Sequence, residues 1–356
     1  MSIVTKFEIH YVQYINEKGE ELMSLPAFAK DKEILISLYR FMVLTRIYDA
    51  KAIALQRTGK MGTFASSLGQ EAVSVGIGNA LQKEDVFCPY YRDQGAMFQR
   101  GIKISELLSF WGGDEWGSHY ANNKEDFSIA IPIGTQLLHA AGIAYAIKLR
   151  KQKRAVVVTC GDGASSEGDF YHAINAAGIW KLPLVIVINN NQWAISVPRT
   201  RQSGTKTLAQ KAIAGGIDGV QVDGNDVIAV RHIVSEALDK ARGGDGPTLI
   251  EALTYRLCDH TTADDASRYI DKADLERAWN LEPLSRFYSY LIKNNYITEK
   301  LNEKIHEECN QQVEDSVEEY LNIPLRLPES MFDYLYAKLP VPLKEQRDEI
   351  EGLANE

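Results

Sequence analysis

The sequence has few cysteines, no long apolar run and no excess of positive charge. Its four cysteines are far apart and form no CxxC pair, which argues against a disulfide framework and against a zinc site. The longest strongly apolar stretch, residues 182–188, contains a proline and is far too short to span a bilayer. With 39 basic and 48 acidic side chains, the net charge of -9 argues against broad binding of a nucleic-acid backbone.

The first residues also lack the apolar core of a signal peptide, because charged side chains interrupt residues 1–8. We therefore expect a soluble, cytoplasmic protein without a signal or transit peptide and without a membrane partner. Hydrophobic residues at 45% and charged residues at 24% are ordinary for a globular protein, and 356 residues can bury a sizeable core.

Short apolar runs alternate with helical patterns between about residues 155 and 270. The runs at 156–158, 184–188, 220–222 and 248–253 predict strands. Helices are predicted at about 168–180, 208–215 and 226–242, the last with Asn225 as its N-cap. Buried strands that alternate with helices predict an α/β fold, in which a parallel sheet carries helices on both faces.

Three regions are predicted along the chain. Residues 1–30 form an N-terminal extension, after which an apolar stripe with helical spacing begins at Ile34. Residues 31–270 form the α/β domain. Beyond it, acidic helical sequence and a tail punctuated by prolines predict a C-terminal helical region, 271–356, that packs on the core.

Polar residues follow two of the predicted strands at the point where each strand ends. Asp162 stands between two glycines, which allow a tight turn and a close approach of backbone to ligand. The helix start that follows offers free N–H groups to an anion. Asn191 follows the next strand. A carboxylate and an amide oxygen from neighbouring strand ends are hard ligands that suit Mg²⁺ in company with phosphate oxygens.

Each of these segments alone is a common turn, but their combination is specific. A GDG segment and an Asn pair, with 29 residues from Asp162 to Asn191, resemble the thiamine-diphosphate binding motif. Two other phosphate-binding motifs are absent. The glycines near Asp162 are spaced GxGxxxxG rather than GxGxxG, and no GxxxxGK[ST] occurs.

The wider sequence is similar to the α subunit of the 2-oxo acid dehydrogenases, the decarboxylating first component of the pyruvate and branched-chain 2-oxo acid complexes. The similarity runs in order over about residues 31–350. Besides the two strand ends, it is carried by segments at 69–72 (GQEA), 91–93 (YRD), 133–136 (IGTQ), 223–226 (DGND), 255–256 (YR) and 260–265 (HTTADD).

The resemblance implies a role for individual residues. It places Mg²⁺ on the side chains of Asp162 and Asn191 and on the backbone carbonyl of Trp193. His260 would be the catalytic residue, on a loop near the diphosphate. Residues that would contact thiamine diphosphate are Tyr91, Arg92, Ile131, Ile133, Asp162, Gly163, Ala164, Asn191 and His260. Of these, Ile131 and Ile133 would contact its aminopyrimidine ring through backbone groups.

Two stretches depart from the family pattern. Residues 112–119 lie where certain relatives carry histidines that face the substrate, but Asp114 and Trp116 stand there instead. Thr261 and Thr262 lie where animal relatives have regulatory phosphoserines. The sequence therefore leaves open both the role of the 112–119 segment and any regulation at these threonines.

The resemblance also implies a reaction and partners. It implies the pyruvate dehydrogenase (acetyl-transferring) reaction, in which pyruvate is decarboxylated and a lipoyl group on an acyltransferase second component is reductively acetylated. The relatives are α2β2 heterotetramers, and the β subunit carries the carboxylate that activates the cofactor. Single-chain thiamine enzymes are much longer, so this chain would hold only the diphosphate half and would need a β subunit for activity.

Three alternatives stay open from sequence alone. HTTADD is also close to the branched-chain pattern, so a branched-chain 2-oxo acid could be the substrate. An acetoin dehydrogenase α subunit would use the same cofactor. A non-catalytic paralogue is the third alternative, although it would have no need to retain Asp162, Asn191, Arg92 and His260.

Overall fold

A parallel sheet forms the centre of the protein in a computed structural model that describes residues 1–353. In chain order the strands are β1 (Tyr11–Val12), β2 (Val86–Cys88), β3 (Val156–Gly161), β4 (Leu184–Asn190), β5 (Trp193–Ala194), β6 (Val197–Pro198), β7 (Asp218–Asp223) and β8 (Thr248–Leu253). Six form one sheet in the order β1-β7-β8-β4-β3-β2, with every neighbouring pair parallel. β5 and β6 form an antiparallel hairpin.

Helices flank this sheet, so the predicted α/β class is confirmed. None of them, within residues 1–353, is both long enough and apolar enough to cross a membrane. In chain order they are α1 (Lys32–Arg57), α2 (Glu71–Ala80), α3 (Gln94–Gln99), α4 (Ile104–Gly112), α5 (Thr135–Leu149), α6 (Gly168–Ile179), α7 (Ala212–Gly215), α8 (Val227–Gly243), α9 (Lys272–Trp279), α10 (Pro283–Lys293), α11 (Glu299–Leu321) and α12 (Val341–Leu353).

Both faces of the central strands are buried. Val158 and Ile186 belong to one apolar cluster with α5 and with Phe170 of α6. Their neighbours Val157 and Val187 point to the other face, because side chains alternate along a strand, and they are fully buried as well. α8 contacts β4, β7 and β8. This two-sided burial is the reason that the strands read as unbroken apolar runs.

All four predicted strands are present, but two other strands of the sheet were not predicted. β2 is only three residues long, and β1 only two. β1 lies in the predicted N-terminal extension and pairs with β7, with Tyr11 opposite Gln221. Such short runs carry no usable periodicity, so their strand structure follows from pairing with a longer neighbour.

The N-cap of α8 is Asp226, and the prediction of Asn225 was wrong. The Asp226 carboxylate accepts hydrogen bonds from the backbone N–H groups of Ile228 and Ala229, at 3.0 and 3.1 Å. Its other oxygen accepts from the N–H groups of Tyr14 and Ile15, at 2.7 and 2.8 Å. Burial raises the pKa of Asp226 to about 6. One buried carboxylate thus caps the helix and fixes the N-terminal segment beside it.

The chain divides into two compact units, Met1–Val317 and the residues from Glu318 on. The first contains the sheet, α1 to α10 and most of α11. In the second, Arg347 of α12 forms an ion pair with Asp333 at 3.1 Å. The proposed division at residues 30 and 270 stays a prediction.

Candidate functional site

A cavity of about 250 Å³ lies at the carboxyl ends of β2, β3 and β4. These three strands are neighbours, so the segments that follow them meet at one edge of the sheet, where ligands bind in open α/β folds. Nine of the ten predicted site residues line this cavity, namely Tyr91, Arg92, Ile133, Asp162, Gly163, Ala164, Asn191, Trp193 and His260.

Ile131 is the tenth and does not line the cavity. Its side chain is 50% exposed, and Ala130 and Ile133 border the cavity on either side of it. The contact of Ile131 and Ile133 with an aminopyrimidine ring therefore stays a prediction. Residues 112–119 contribute nothing to the cavity wall, since they form the end of α4 and a 3-10 turn at Glu115–Ser118.

Asp162 follows β3 directly and is buried at the start of a 3-10 turn, Gly163–Ser166. Gln202 donates a hydrogen bond from Nε2 to its Oδ2 at 2.8 Å. Burial raises the pKa of Asp162, and this hydrogen bond opposes the rise. Gly163 is required beside it, because a Cβ there would lie 2.8 Å from Cβ of Ala194. A cation next to the carboxylate would offset the cost of its buried charge.

Asn191 follows β4 and is buried against the same cavity. Its Nδ2 donates to Oε1 of Gln70 at 2.9 Å, and its Oδ1 accepts from the N–H of Trp193 at 3.2 Å. Gln192, between Asn191 and Trp193, has a left-handed φ of 73°. The chain therefore turns sharply here, which brings both Asn191 and Trp193 to the cavity wall.

Two buried guanidinium groups, of Arg92 and Arg256, converge on the loop of His260. Arg92 donates to the carbonyl oxygens of Ser66 and His260, the latter at 2.7 Å. Arg256 donates to the carbonyl oxygen of Ile195 at 2.9 Å, and to Cys258 and the Tyr269 hydroxyl. These acceptors are neutral, so the two positive charges are not offset by them. Burial and the charge of Arg92 lower the pKa of Arg256.

The imidazole of His260 is neutral in this setting. Burial, and then the charges of Arg92 and Arg256, lower the pKa of His260 from 6.5 to about 4. Nδ1 lies 3.1 Å from an Arg92 nitrogen and 3.5 Å from an Arg256 nitrogen. Because guanidinium can only donate, Nδ1 must be the acceptor and the proton lies on Nε2.

These charges suit an anionic ligand with a bound divalent cation. Arg92 and His260 line the same cavity as Asp162 and Asn191, so positive and negative groups share it. Within the described residues, no group of three or more His, Cys, Asp or Glu side chains could hold a metal. A cation here would need one carboxylate, amide or carbonyl oxygens and oxygens of the ligand itself. That ligand set is typical of Mg²⁺ bound with a phosphorylated cofactor.

The pKa of His260 predicts a pH effect on the stability of the purified chain. The unfolded state binds this proton below pH 6.5 and the folded state only near pH 4. Stability from His260 is therefore present above pH 6.5 and is lost as the pH falls towards 4. We expect the melting temperature of the wild type, minus that of His260→Gln, to decrease between pH 7.5 and pH 5. A difference that does not change with pH would contradict the neutral imidazole.

Four polar residues in or beside the site were not assigned a role from the sequence. Gln70 contacts the side chain of Asn191, and Gln202 contacts that of Asp162. Arg256 contacts the loop of His260. Gln136 donates to the carbonyl oxygen of Thr159 at 2.8 Å and lines the cavity. Gln70, Gln136 and Arg256 lie in segments that carry the family resemblance, so the resemblance could have identified them. Gln202 lies outside those segments.

The threonines after His260 make turn and loop contacts. Thr262 Oγ1 accepts from the N–H of Phe64 at 3.0 Å, and the N–H of Thr262 donates to the carbonyl oxygen of Phe64 at 2.9 Å. Thr261 Oγ1 accepts from the N–H of Ala263 at 3.3 Å. Thr262 thus ties the loop of His260 to the segment before α2.

Comparison with known proteins places this architecture in a family. Residues 39–326 match the family model described as "Dehydrogenase E1 component". The chain is 41% identical over 340 residues to the pyruvate dehydrogenase E1 component subunit alpha of Acholeplasma laidlawii, with 94% of this chain and 96% of the relative covered.

Of two further relatives, one carries the same name and one a different name. The pyruvate dehydrogenase E1 component subunit alpha of Staphylococcus aureus (strain Mu50) is 38% identical over 344 residues, with 96% of this chain and 92% of the relative covered. The 3-methyl-2-oxobutanoate dehydrogenase subunit alpha of Mycobacterium tuberculosis is 38% identical over 321 residues, with 90% and 88% covered. The family match spans most of the chain and includes the entire cavity, so the chain belongs to the dehydrogenase E1 component family.

Proposed function

We propose that this chain is the α subunit of a thiamine-diphosphate-dependent pyruvate dehydrogenase first component, with Mg²⁺ as its metal. With a β subunit it decarboxylates pyruvate and reductively acetylates a lipoyl group on an acyltransferase second component in the cytoplasm. The observation that carries the proposal is one cavity that contains Asp162 and Asn191 together with Arg92 and His260.

In this proposal, Asp162, Asn191 and the carbonyl of Trp193 hold Mg²⁺ at the carboxyl ends of β3 and β4. Arg92 and Tyr91 bind the diphosphate, and the guanidinium carbon of Arg92 lies 5.1 Å from the centroid of the Tyr91 ring. Gly163 and Ala164 bring backbone close to the same group. When bound, thiamine diphosphate would supply a carbon nucleophile for the 2-oxo group and an electron sink for the decarboxylation.

His260 would hold a proton at Nε2, since its Nδ1 accepts from the two arginines. A diphosphate next to Arg92 would offset the positive charges that lower the pKa of His260. The imidazole would then be able to protonate nearer neutral pH. We infer that His260 donates a hydrogen bond into the cavity and orders its loop around the bound diphosphate.

A β subunit is supported by the surface as well as by the relatives. The cavity volume of about 250 Å³ is below the roughly 300–1,000 Å³ that is usual for a cofactor site, so we expect a partner to complete the site. Large apolar side chains are also exposed on α5 and at the end of α6, including Tyr145, Leu149, Ile179 and Trp180. Permanent complexes bury such apolar surface.

The choice of pyruvate rests on the relatives. Two of the three described above are named for pyruvate and one for 3-methyl-2-oxobutanoate, at similar identity. The branched-chain acid is therefore the second candidate. Acetoin is a third, since it requires the same cofactor.

A turnover assay tests this proposal. The αβ complex, reconstituted with thiamine diphosphate and Mg²⁺, would be assayed with pyruvate, 3-methyl-2-oxobutanoate and acetoin and an artificial electron acceptor. We expect kcat/KM for pyruvate to exceed the others by about tenfold or more, since one methylene changes selectivity by roughly 10–200-fold. A preference for either other substrate would replace pyruvate, and no turnover at all would favour a non-catalytic paralogue.

A further inference from the structure

Gln70 stands in the GQEA segment at residues 69–72, to which the proposed function assigns no role. It is fully buried directly before α2, and its side chain does not cap that helix. Its backbone N–H donates to the carbonyl oxygen of Ser67 at 2.9 Å, which accounts for the turn but not for the amide side chain. The reason for a glutamine here must lie in what the side chain contacts.

The side-chain oxygen of Gln70 accepts two hydrogen bonds. Asn191 donates to Oε1 from Nδ2 at 2.9 Å, and the Tyr90 hydroxyl donates to the same atom at 3.3 Å. Nε2 of Gln70 has no partner among the described residues, although it is buried. A buried donor without a partner is unfavourable, so this arrangement points to a requirement for the oxygen.

The orientation of the Asn191 amide is determined from two sides. The backbone N–H of Trp193 can only donate, and it lies 3.2 Å from Oδ1 of Asn191. If Asn191 flipped, its Nδ2 would face this N–H and its oxygen would face Oε1 of Gln70. Donor would then oppose donor and acceptor would oppose acceptor. Gln70 and Trp193 therefore favour the same orientation.

We propose that Gln70 is a positioning residue, which holds the Asn191 amide so that its oxygen is presented to Mg²⁺. This inference rests on the proposed function, because it needs a metal beside Asn191. Gln70 does not line the cavity, so it acts through Asn191 rather than on the ligand. Hydrogen bonds to metal ligands of this kind fix ligand orientation and change metal affinity by about 10–100-fold.

The Gln70 contacts are also part of a longer network. Asn189 donates to the Tyr90 hydroxyl at 2.9 Å, and Thr254 donates to Oδ1 of Asn189 at 2.7 Å. This network joins the ends of β4 and β8 to the segments after β2 and before α2. If Gln70 only stabilised this network, substituting it would lower the melting temperature of the complex. The metal affinity of the fully assembled complex would stay unchanged.

The test uses the αβ complex with thiamine diphosphate and Mn²⁺. Electron paramagnetic resonance measures the Mn²⁺ that stays free in solution, which gives the affinity of the complex for the metal. Gln70→Met and Gln70→Leu remove the acceptor with little change in volume. We expect both to weaken Mn²⁺ binding by about 10–100-fold. Gln70→Glu keeps an acceptor for Asn191, so its Mn²⁺ affinity should stay close to that of the wild type.

Gln99→Met is the matched control. Gln99 is a half-buried glutamine of α3 whose Nε2 donates to the carbonyl oxygen of Val75 at 2.8 Å, and it is outside the cavity. We expect wild-type Mn²⁺ affinity in this variant. Wild-type affinity in Gln70→Met and Gln70→Leu, or an equal loss in Gln99→Met, would overturn the role of Gln70. A wild-type complex that binds no Mn²⁺ would overturn the proposed function itself.

Discussion

Asp162→Ala should abolish Mg²⁺-dependent binding of thiamine diphosphate to the αβ complex. Asp162 is the only carboxylate among the metal ligands assigned to this chain, and the cavity is also lined by Arg92, His260 and a second carboxylate, that of Glu167. Without this carboxylate the cation loses its charged protein ligand. We expect the affinity for thiamine diphosphate to fall by more than about 100-fold, because loss of a residue that only supports a metal ligand already costs up to about 100-fold. Calorimetric titration of the cofactor, with and without Mg²⁺, measures this.

The fold should survive the substitution, because Asp162 lies at a strand end and its burial raises its pKa rather than stabilising the charged form. Asp218→Ala is the control. Asp218 begins β7, and its exposed carboxylate contacts Lys240 at 2.6 Å, far along the sheet from β3. Unchanged cofactor affinity in Asp162→Ala, or an equal loss in Asp218→Ala, would refute the assignment.

The chain without a β subunit should show no decarboxylation of pyruvate, and a matching β chain should restore it. In the proposed site, this chain supplies the diphosphate-binding wall and the metal ligands. In the same proposal the β subunit supplies the opposite wall of this cavity of about 250 Å³, whose border includes the half-exposed residue Ile133. Carbon dioxide release, with an artificial electron acceptor, would be measured for each chain and for their mixture.

Substitutions on the exposed apolar surface sharpen this test. Trp180→Lys places a charge on a half-exposed aromatic side chain outside the cavity, so it should weaken assembly and leave the cofactor contacts intact. We expect activity of this variant to recover as the β chain is raised in excess. Sustained decarboxylation by this chain alone, free of β, would show that the site is complete and would remove the need for a partner.

The sequence predicted the parts of the site whose chemistry is local. Asp162 and Asn191 directly follow apolar strands, which end at Gly161 and Asn190, so their position at one sheet edge could be inferred. Other contacts join distant parts of the chain. Gln70 and Asn191 are 121 positions apart, and Arg92 and His260 are 168 apart. No spacing rule relates such pairs before the fold is known.

The errors in predicting the fold from sequence also arise from contacts between distant parts of the chain. Asn225 and Asp226 are both residue types that cap helices. The carboxylate of Asp226 is selected because it also binds the N–H groups of Tyr14 and Ile15, more than 200 positions away. β1 has two residues, and its strand structure exists because β7 offers a free edge there. The local sequence pattern was sufficient to predict the long strands and helices. The helix cap and the two-residue strand depend on tertiary contacts.

In the proposed function, Asp162 and Asn191 hold a divalent cation against the diphosphate of thiamine diphosphate. Crystals of the αβ complex grown with thiamine diphosphate and Mn²⁺ would test it by anomalous diffraction. We expect one manganese peak within coordination distance of the Asp162 carboxylate, Oδ1 of Asn191 and the carbonyl of Trp193, with the diphosphate beside Arg92. A peak elsewhere, or a diphosphate bound here without a metal, would contradict it.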